Sequence, residues 1–374
     1  LPETLKLVVA ALALTLAMLF LLLRTWRGVI LPLLAGAVSA IWALGICNLL
    51  GDSPEERAAK KALVIQSLVY GSMICGMFIM TAHLPNMILV GIFEKNGFTN
   101  INFLNWMLLQ FPYLGMFVLT NWWTRYYFKT NCVSIAGGSA TIEKSYKDLG
   151  PMSMAEKTLL GIFLLVGFMF VTGKGSFIYE VHRQPLGVIG LVGMMVLFAP
   201  GMMPCSWKAV QQKTIWGTFL LLGGAMTMTT AMTQAGVAQW LADHIHSMVV
   251  GMNWWQTVLT MMVGTHIIRL GMLSNVAAVA MLAPVVFAMA PKLGLHPVAF
   301  TMLVCDTDTF AYLLPTQITA AVIAHSTETF STADYAKVGS VAVLIAIAYG
   351  VCVMAPWYAL LGMPVWNPAA AWPF

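Results

Sequence analysis

Ten side chains able to hold a small ion stand inside apolar stretches of this chain: Thr81, Asn86, Arg269, Ser274, Asn275, Asp306, Asp308, Thr316, Gln317 and Thr319. In a soluble protein they would pass unnoticed. Here the flanks are apolar runs, and an arginine or aspartate at mid-bilayer depth costs about 3 kcal/mol even on the mildest scales. Such groups persist where they line a protein-buried or watery cavity. Hydroxyls and primary amides offer neutral donors and acceptors. Arg269 adds a fixed positive charge, and the two aspartates add ionisable oxygens. The chemistry open to this set is the binding and release of small ions. Proteolysis by an aspartyl pair is the rival from another class. It needs carboxylates from two facing helices, whereas Asp306 and Asp308 are spaced i, i+2, and the apolar runs supply no other acid to face them.

The elements that must position these groups are broken spans. The run from Trp254 to Pro291 is too long for one crossing and too short for two, since a crossing needs about 20 apolar residues. Its polar break holds Thr265, His266, Arg269, Ser274 and Asn275. The spacing predicts a helical hairpin that enters the membrane, turns at Ser274-Asn275 and leaves on the same side. Two other runs are interrupted, at Thr81–Asn86 with Pro85 and at Leu313–Thr319 with Pro315. A proline removes one helix hydrogen bond and frees a carbonyl. The half-helix after the break offers free N–H groups and the positive end of its dipole. Paired interrupted segments are the best sequence pointer to the midplane site of a secondary transporter.

Composition agrees. Sixty per cent of the 374 residues are hydrophobic and nine per cent charged, and the mean hydropathy is +0.83. This is a polytopic membrane chain. Its net charge of +5 reports membrane orientation rather than nucleic-acid binding. Six scattered cysteines, with no CxxC spacing, suggest neither a zinc site nor a disulfide framework. The chain opens with Leu1 and reads as a fragment or a processed product.

Apolar runs fall at about 6–23, 29–50, 63–93, 101–121, 158–173, 184–203, 214–236, 254–291, 297–324 and 338–362, with a polar gap at 122–157. That gap reads as a linker with a surface helix over Lys144–Glu156. Ala238–Val249 reads as an amphipathic helix at the interface. With each run crossing once, except the returning 254–291, one side collects twelve lysines and arginines and the other six. The richer side is predicted to be cytoplasmic, and it carries the linker.

Several of these stretches together resemble the divalent anion/sodium symporter family, over about Asp52–Trp366. They are Ala82–Asn86, Leu149–Lys157, Ile215-Trp-Gly with Gly223-Gly224 and Gly236–Trp240, Leu273-Ser-Asn-Val276, and Phe310–Thr319. The resemblance implies inverted repeats with broken helices and re-entrant hairpins. It also implies an elevator-type mobile domain and a homodimer. Ser274 and Asn275 match the family's Ser-Asn-Thr tip, which binds substrate carboxylates and helps hold sodium. Val276 departs from it and lacks the hydroxyl. Asn86, Thr316, Gln317 and Thr319 fall in the broken-helix loops, with His83 where the family has a smaller residue. Asp306 and Asp308 stand where small neutral residues are expected. Residues 1–50, with Arg24-Thr-Trp-Arg27-Gly-Val-Ile-Leu-Pro32, look more like a span of resistance-nodulation-division exporters.

The sequence therefore predicts an all-α polytopic membrane protein with inverted repeats, a re-entrant hairpin and an incomplete first repeat. Its parts are atypical spans 1–50, the rest of a first repeat 51–121, a cytoplasmic linker 122–157 and a second repeat 158–374 with the hairpin 254–291. The expected activity is secondary transport of a di- or tricarboxylate or sulfate across the cell membrane, with no cofactor beyond a coupling sodium. The alternative is an exporter-like or non-transporting protein. Substrate binding is assigned to Ser274, Asn275, Asn86, Thr316, Gln317, Thr319 and Arg269. Cation coupling is assigned to Asn275, Asp306, Asp308 and Thr81. The partners expected are a small anion, the lipid bilayer and a second copy of the chain.

Overall fold

The computed structural model describes residues 53–130, 147, 151–172, 184, 186–199, 207–213, 224, 227, 230–231, 234–272 and 274–374. The stretch 1–50, the Gly137-Gly138 pair and the Ile215-Trp-Gly motif lie outside them. Among the described residues every regular element is helical.

Helix α1, Pro54–Phe78, is 25 residues long, roughly 38 Å, enough to cross a bilayer. Ser53 and Glu56 form a capping box at its start, and a π turn over Ile65–Gly71 interrupts its middle. Helix α2, Leu84–Lys95, follows a break whose last residue, His83, is extended. Helices α3, Phe103–Gln110, and α4, Tyr113–Phe128, meet at 42° across Phe111-Pro112. Helices α5, Met154–Val171, and α6, Leu186–Leu197, pack on each other. A short helix α7, Trp207–Lys213, precedes the amphipathic α8, Val237–Val249, which starts from Gly236 at φ 72°.

The remaining helices build the centre. They are α9, Trp254–Arg269; α10, Asn275–Met289; α11, Pro297–Thr309; α12, Thr319–His325; and α13, Thr332–Leu360, 29 residues and the most apolar span. Every residue of α11 is buried, its apolar first two turns and its polar end Asp306–Thr309 alike. It is packed by α9, α10 and α13, while α10 also contacts α2 and α8. A Lys292–Asp243 ion pair fastens α8 to the turn after α10. That lysine's hydrogen bond holds the exposed Asp243 carboxyl below its ordinary range.

Several boundaries differ from those the sequence predicts. Among the described residues two helices are long and apolar enough to span, and a third if α3 and α4 count as one bent span. The runs 254–291 and 297–324 are cut where loop residues interrupt the helix. Pro85 is the second residue of α2, just past the break, where its missing N–H costs nothing. The polar gap does not begin at 122. Helix α4 runs on through Trp122, Trp123, Tyr126 and Tyr127 and ends at Lys129, φ 53°. Ser153 and Glu156 do not end a surface helix but form the capping box that starts α5. The breaks themselves occur in the predicted runs, and Ala238–Val249 is helical as read.

Candidate substrate and ion site

Five helix ends meet at one place. The carbonyl ends of α1, α9 and α11 arrive there, and so do the N–H ends of α2 and α10. A helix end leaves four backbone groups without internal partners, so each end buried here needs a donor or acceptor from elsewhere. Three primary amides supply donors to the carbonyl ends, and each serves a helix other than its own.

Asn86, in the first turn of α2, turns its Nδ2 back on the end of α1. It reaches the carbonyls of Gly76, Met77 and Ile79 at 3.0, 3.4 and 3.2 Å. Asn275, the first residue of α10, donates Nδ2 to the carbonyl of Thr309, the last residue of α11, at 3.2 Å. The same nitrogen lies 3.4 Å from His83 Nε2, so the starts of α10 and α2 touch. Gln317, in the loop after α11, donates Nε2 to the carbonyl of Arg269, the last residue of α9, at 3.1 Å. Its Oε1 accepts from the N–H groups of Leu313 and Leu314 at 3.1 and 2.8 Å. That bond folds the second break into a tight bend. Ser274 caps α10 by accepting from Ala277 N–H at 3.3 Å.

Arg269 binds the set together and is only 1% exposed. Its guanidinium donates to the Met272 carbonyl at 2.8 Å, to the Gln317 carbonyl at 2.9 Å and to Asn275 Oδ1. Its Nε lies 3.8 Å from Asp308 Oδ2. Asp306 points elsewhere and accepts from Gln110 Nε2 of α3 at 2.7 Å. Both carboxylates are fully buried. The i, i+2 spacing thus sends one to Arg269 and the other to α3, as different helix faces require.

The structure therefore brings Asn86, Arg269, Ser274, Asn275, Asp308 and Gln317 around one point, with Asp306 one helix face away. Thr81, Thr316 and Thr319 are exposed at the rims of the two broken loops. Gln110 was missed, although it stands deep inside the apolar run 101–121, two residues before Pro112. The Met272 and Thr309 carbonyls carry no sequence signal, because any residue supplies one.

A family profile described as the sodium:sulfate symporter transmembrane region matches residues 3–364. The chain belongs to this family. The match takes in most of the first fifty residues, the stretch set apart above for its likeness to an exporter span. The family is one of transporters and not of enzymes, and the chain is a multi-pass membrane protein. A membrane protein of Cupriavidus necator is 25% identical, over 89% of this chain and 63% of its own length. The sodium-dependent dicarboxylate transporter SdcS of Staphylococcus saprophyticus is 25% identical, over 80% of this chain and 60% of its own. The Na(+)/dicarboxylate cotransporter 3 of Rattus norvegicus is 24% identical, over 77% and 55%. The chain thus spans about 55–63% of the length of these relatives.

Proposed function

We propose that the chain is the core of a cation-coupled secondary transporter of small divalent anions. One observation carries this reading: the N-terminal ends of α2 and α10 touch through His83 and Asn275 at 3.4 Å. Two positive dipole ends aimed at one point favour an anion, and carbonyl ends beside them favour a cation. The anion sits against Ser274 and the start of α2, with the exposed Thr81, Thr316 and Thr319 hydroxyls around it. Asn86, Asn275 and Gln317 hold the loops in place rather than releasing their amides to it. Family membership supports sodium as the coupling ion. The relatives' names support a dicarboxylate, and the family's description supports sulfate.

In this reading the stretch through α4 and the stretch from α5 onward belong to two repeats, joined by a cytoplasmic linker between α4 and α5. The hairpin of α9 and α10 enters from outside. The two repeats carry the site across the membrane by an elevator-type movement, in a homodimer of the cell membrane. The test is uptake of labelled succinate, citrate and sulfate into proteoliposomes, with a sodium gradient, a proton gradient or neither. Gradient-driven uptake of one of these anions is expected. Its absence from well-folded protein, under every gradient, would overturn the reading in favour of a non-transporting or exporter-like chain.

A further inference from the structure

Three oxygens from two separate breaks gather around one cationic group. The Met272 carbonyl and Asn275 Oδ1 come from the tip between α9 and α10, and the Gln317 carbonyl comes from the loop after α11. A carboxylate, Asp308, stands 3.8 Å from the same group as its counter-charge. Unwound carbonyls and half-helix ends are what hold a coupling cation in transporters with broken helices. Here the charge among them is the guanidinium of Arg269, which is always protonated and cannot leave the chain. We infer that Arg269 is a tethered cation filling a cation position between the hairpin tip and the second broken segment. This deepens the transport reading, on which its consequence rests: free sodium does not bind at this position, and sodium coupling draws on other ligands.

The geometry makes a specific demand. Removing the guanidinium leaves three neutral oxygens and one carboxylate around a vacated volume, a donor set suited to a small hard cation. Arg269→Ala is therefore expected to acquire a sodium response that the native chain lacks at this position. Arg269→Lys keeps a tethered charge and acquires none. The Arg269→Ala, Asp308→Asn double variant loses the carboxylate and should lose the acquired response.

The experiment is thermal unfolding of the purified full chain and these three variants in detergent, in 100 mM sodium chloride, choline chloride or methylguanidinium chloride. Arg269→Ala should unfold roughly 5 °C higher in sodium than in choline, beyond any difference shown by the native chain. Methylguanidinium should rescue it as well. Three results would overturn the inference. One is an Arg269→Ala sodium response no larger than the native one. Another is failure of Arg269→Ala to fold in all three salts. The third is an equal sodium gain in Arg269→Lys. The readout is independent of transport. A native chain that carries no anion would defeat the transport reading and leave this result standing. Uptake without any acquired sodium response would do the reverse.

Discussion

Asn86, Asn275 and Gln317 each spend a side-chain amide on the carbonyl end of a helix that is not their own. A buried carbonyl that loses its donor costs about 1–3 kcal/mol, so these residues matter to folding and function alike. Asn86→Ala strips three carbonyls at the end of α1 and should lower stability by about that amount. An unchanged unfolding midpoint in detergent would refute the capping role. Asn275→Ala should abolish uptake while leaving protein that still folds, since its tip position is lost and only one cap is removed; native uptake would sink the tip assignment. Asp308→Asn keeps the shape and removes the counter-charge of Arg269. It leaves a buried guanidinium without its carboxylate and should lower the unfolding midpoint in detergent; an unchanged midpoint would argue against the pairing. These amides and charges were legible because each stands inside an otherwise apolar run. Their partners were not, since the carbonyls of Gly76, Thr309 and Arg269 look like any other backbone.

Helices here are defined as much by where they stop as by what they bury. The two outer breaks were predicted from Pro85 and Pro315, and the structure places loops there. Yet the first loop is Ile79–His83 rather than Thr81–Asn86, because Leu84 and Pro85 suit the opening turn of a helix. The extension of α4 to Phe128 was missed because the apolar run was ended at 121 and the stretch beyond it carries Arg125 and Lys129. The aromatic residues between them keep the helix going, and Trp122 and Tyr126 stay exposed, as aromatic residues do at a membrane interface. The second loop is also held from outside. A side chain at Gly339 of α13 would run into the Tyr312 carbonyl oxygen, with the Tyr312 carbonyl carbon 2.7 Å away. The obstacle is backbone, so it cannot rotate aside. Gly339→Ala should therefore cost about 1–3 kcal/mol or more and displace the loop that carries Gln317. A variant with native stability and native uptake would show that α13 does not set that loop.

For the molecule as a whole, composition made the membrane class plain, and the order of broken segments made the family legible. Packing was not legible. The two aspartates of Pro297–Thr309 argue against lipid, but nothing in the sequence says which helices cover them, and α11 is the post on which α9, α10 and α13 lean. The same packing decides which of its two aspartates meets Arg269. In the proposed transporter the half-buried Ser274 hydroxyl and the exposed threonine hydroxyls beside the meeting helix ends face the transported anion. The most direct test replaces the six native cysteines and introduces one at Ser274, Thr319 or, as a control on the exposed start of α13, Thr332. The rate of maleimide labelling is then measured with and without saturating succinate or sulfate in sodium. Several-fold protection at Ser274→Cys and Thr319→Cys, with none at Thr332→Cys, is the predicted result. Unchanged labelling at both site positions, in protein that still takes up the anion, would contradict the account.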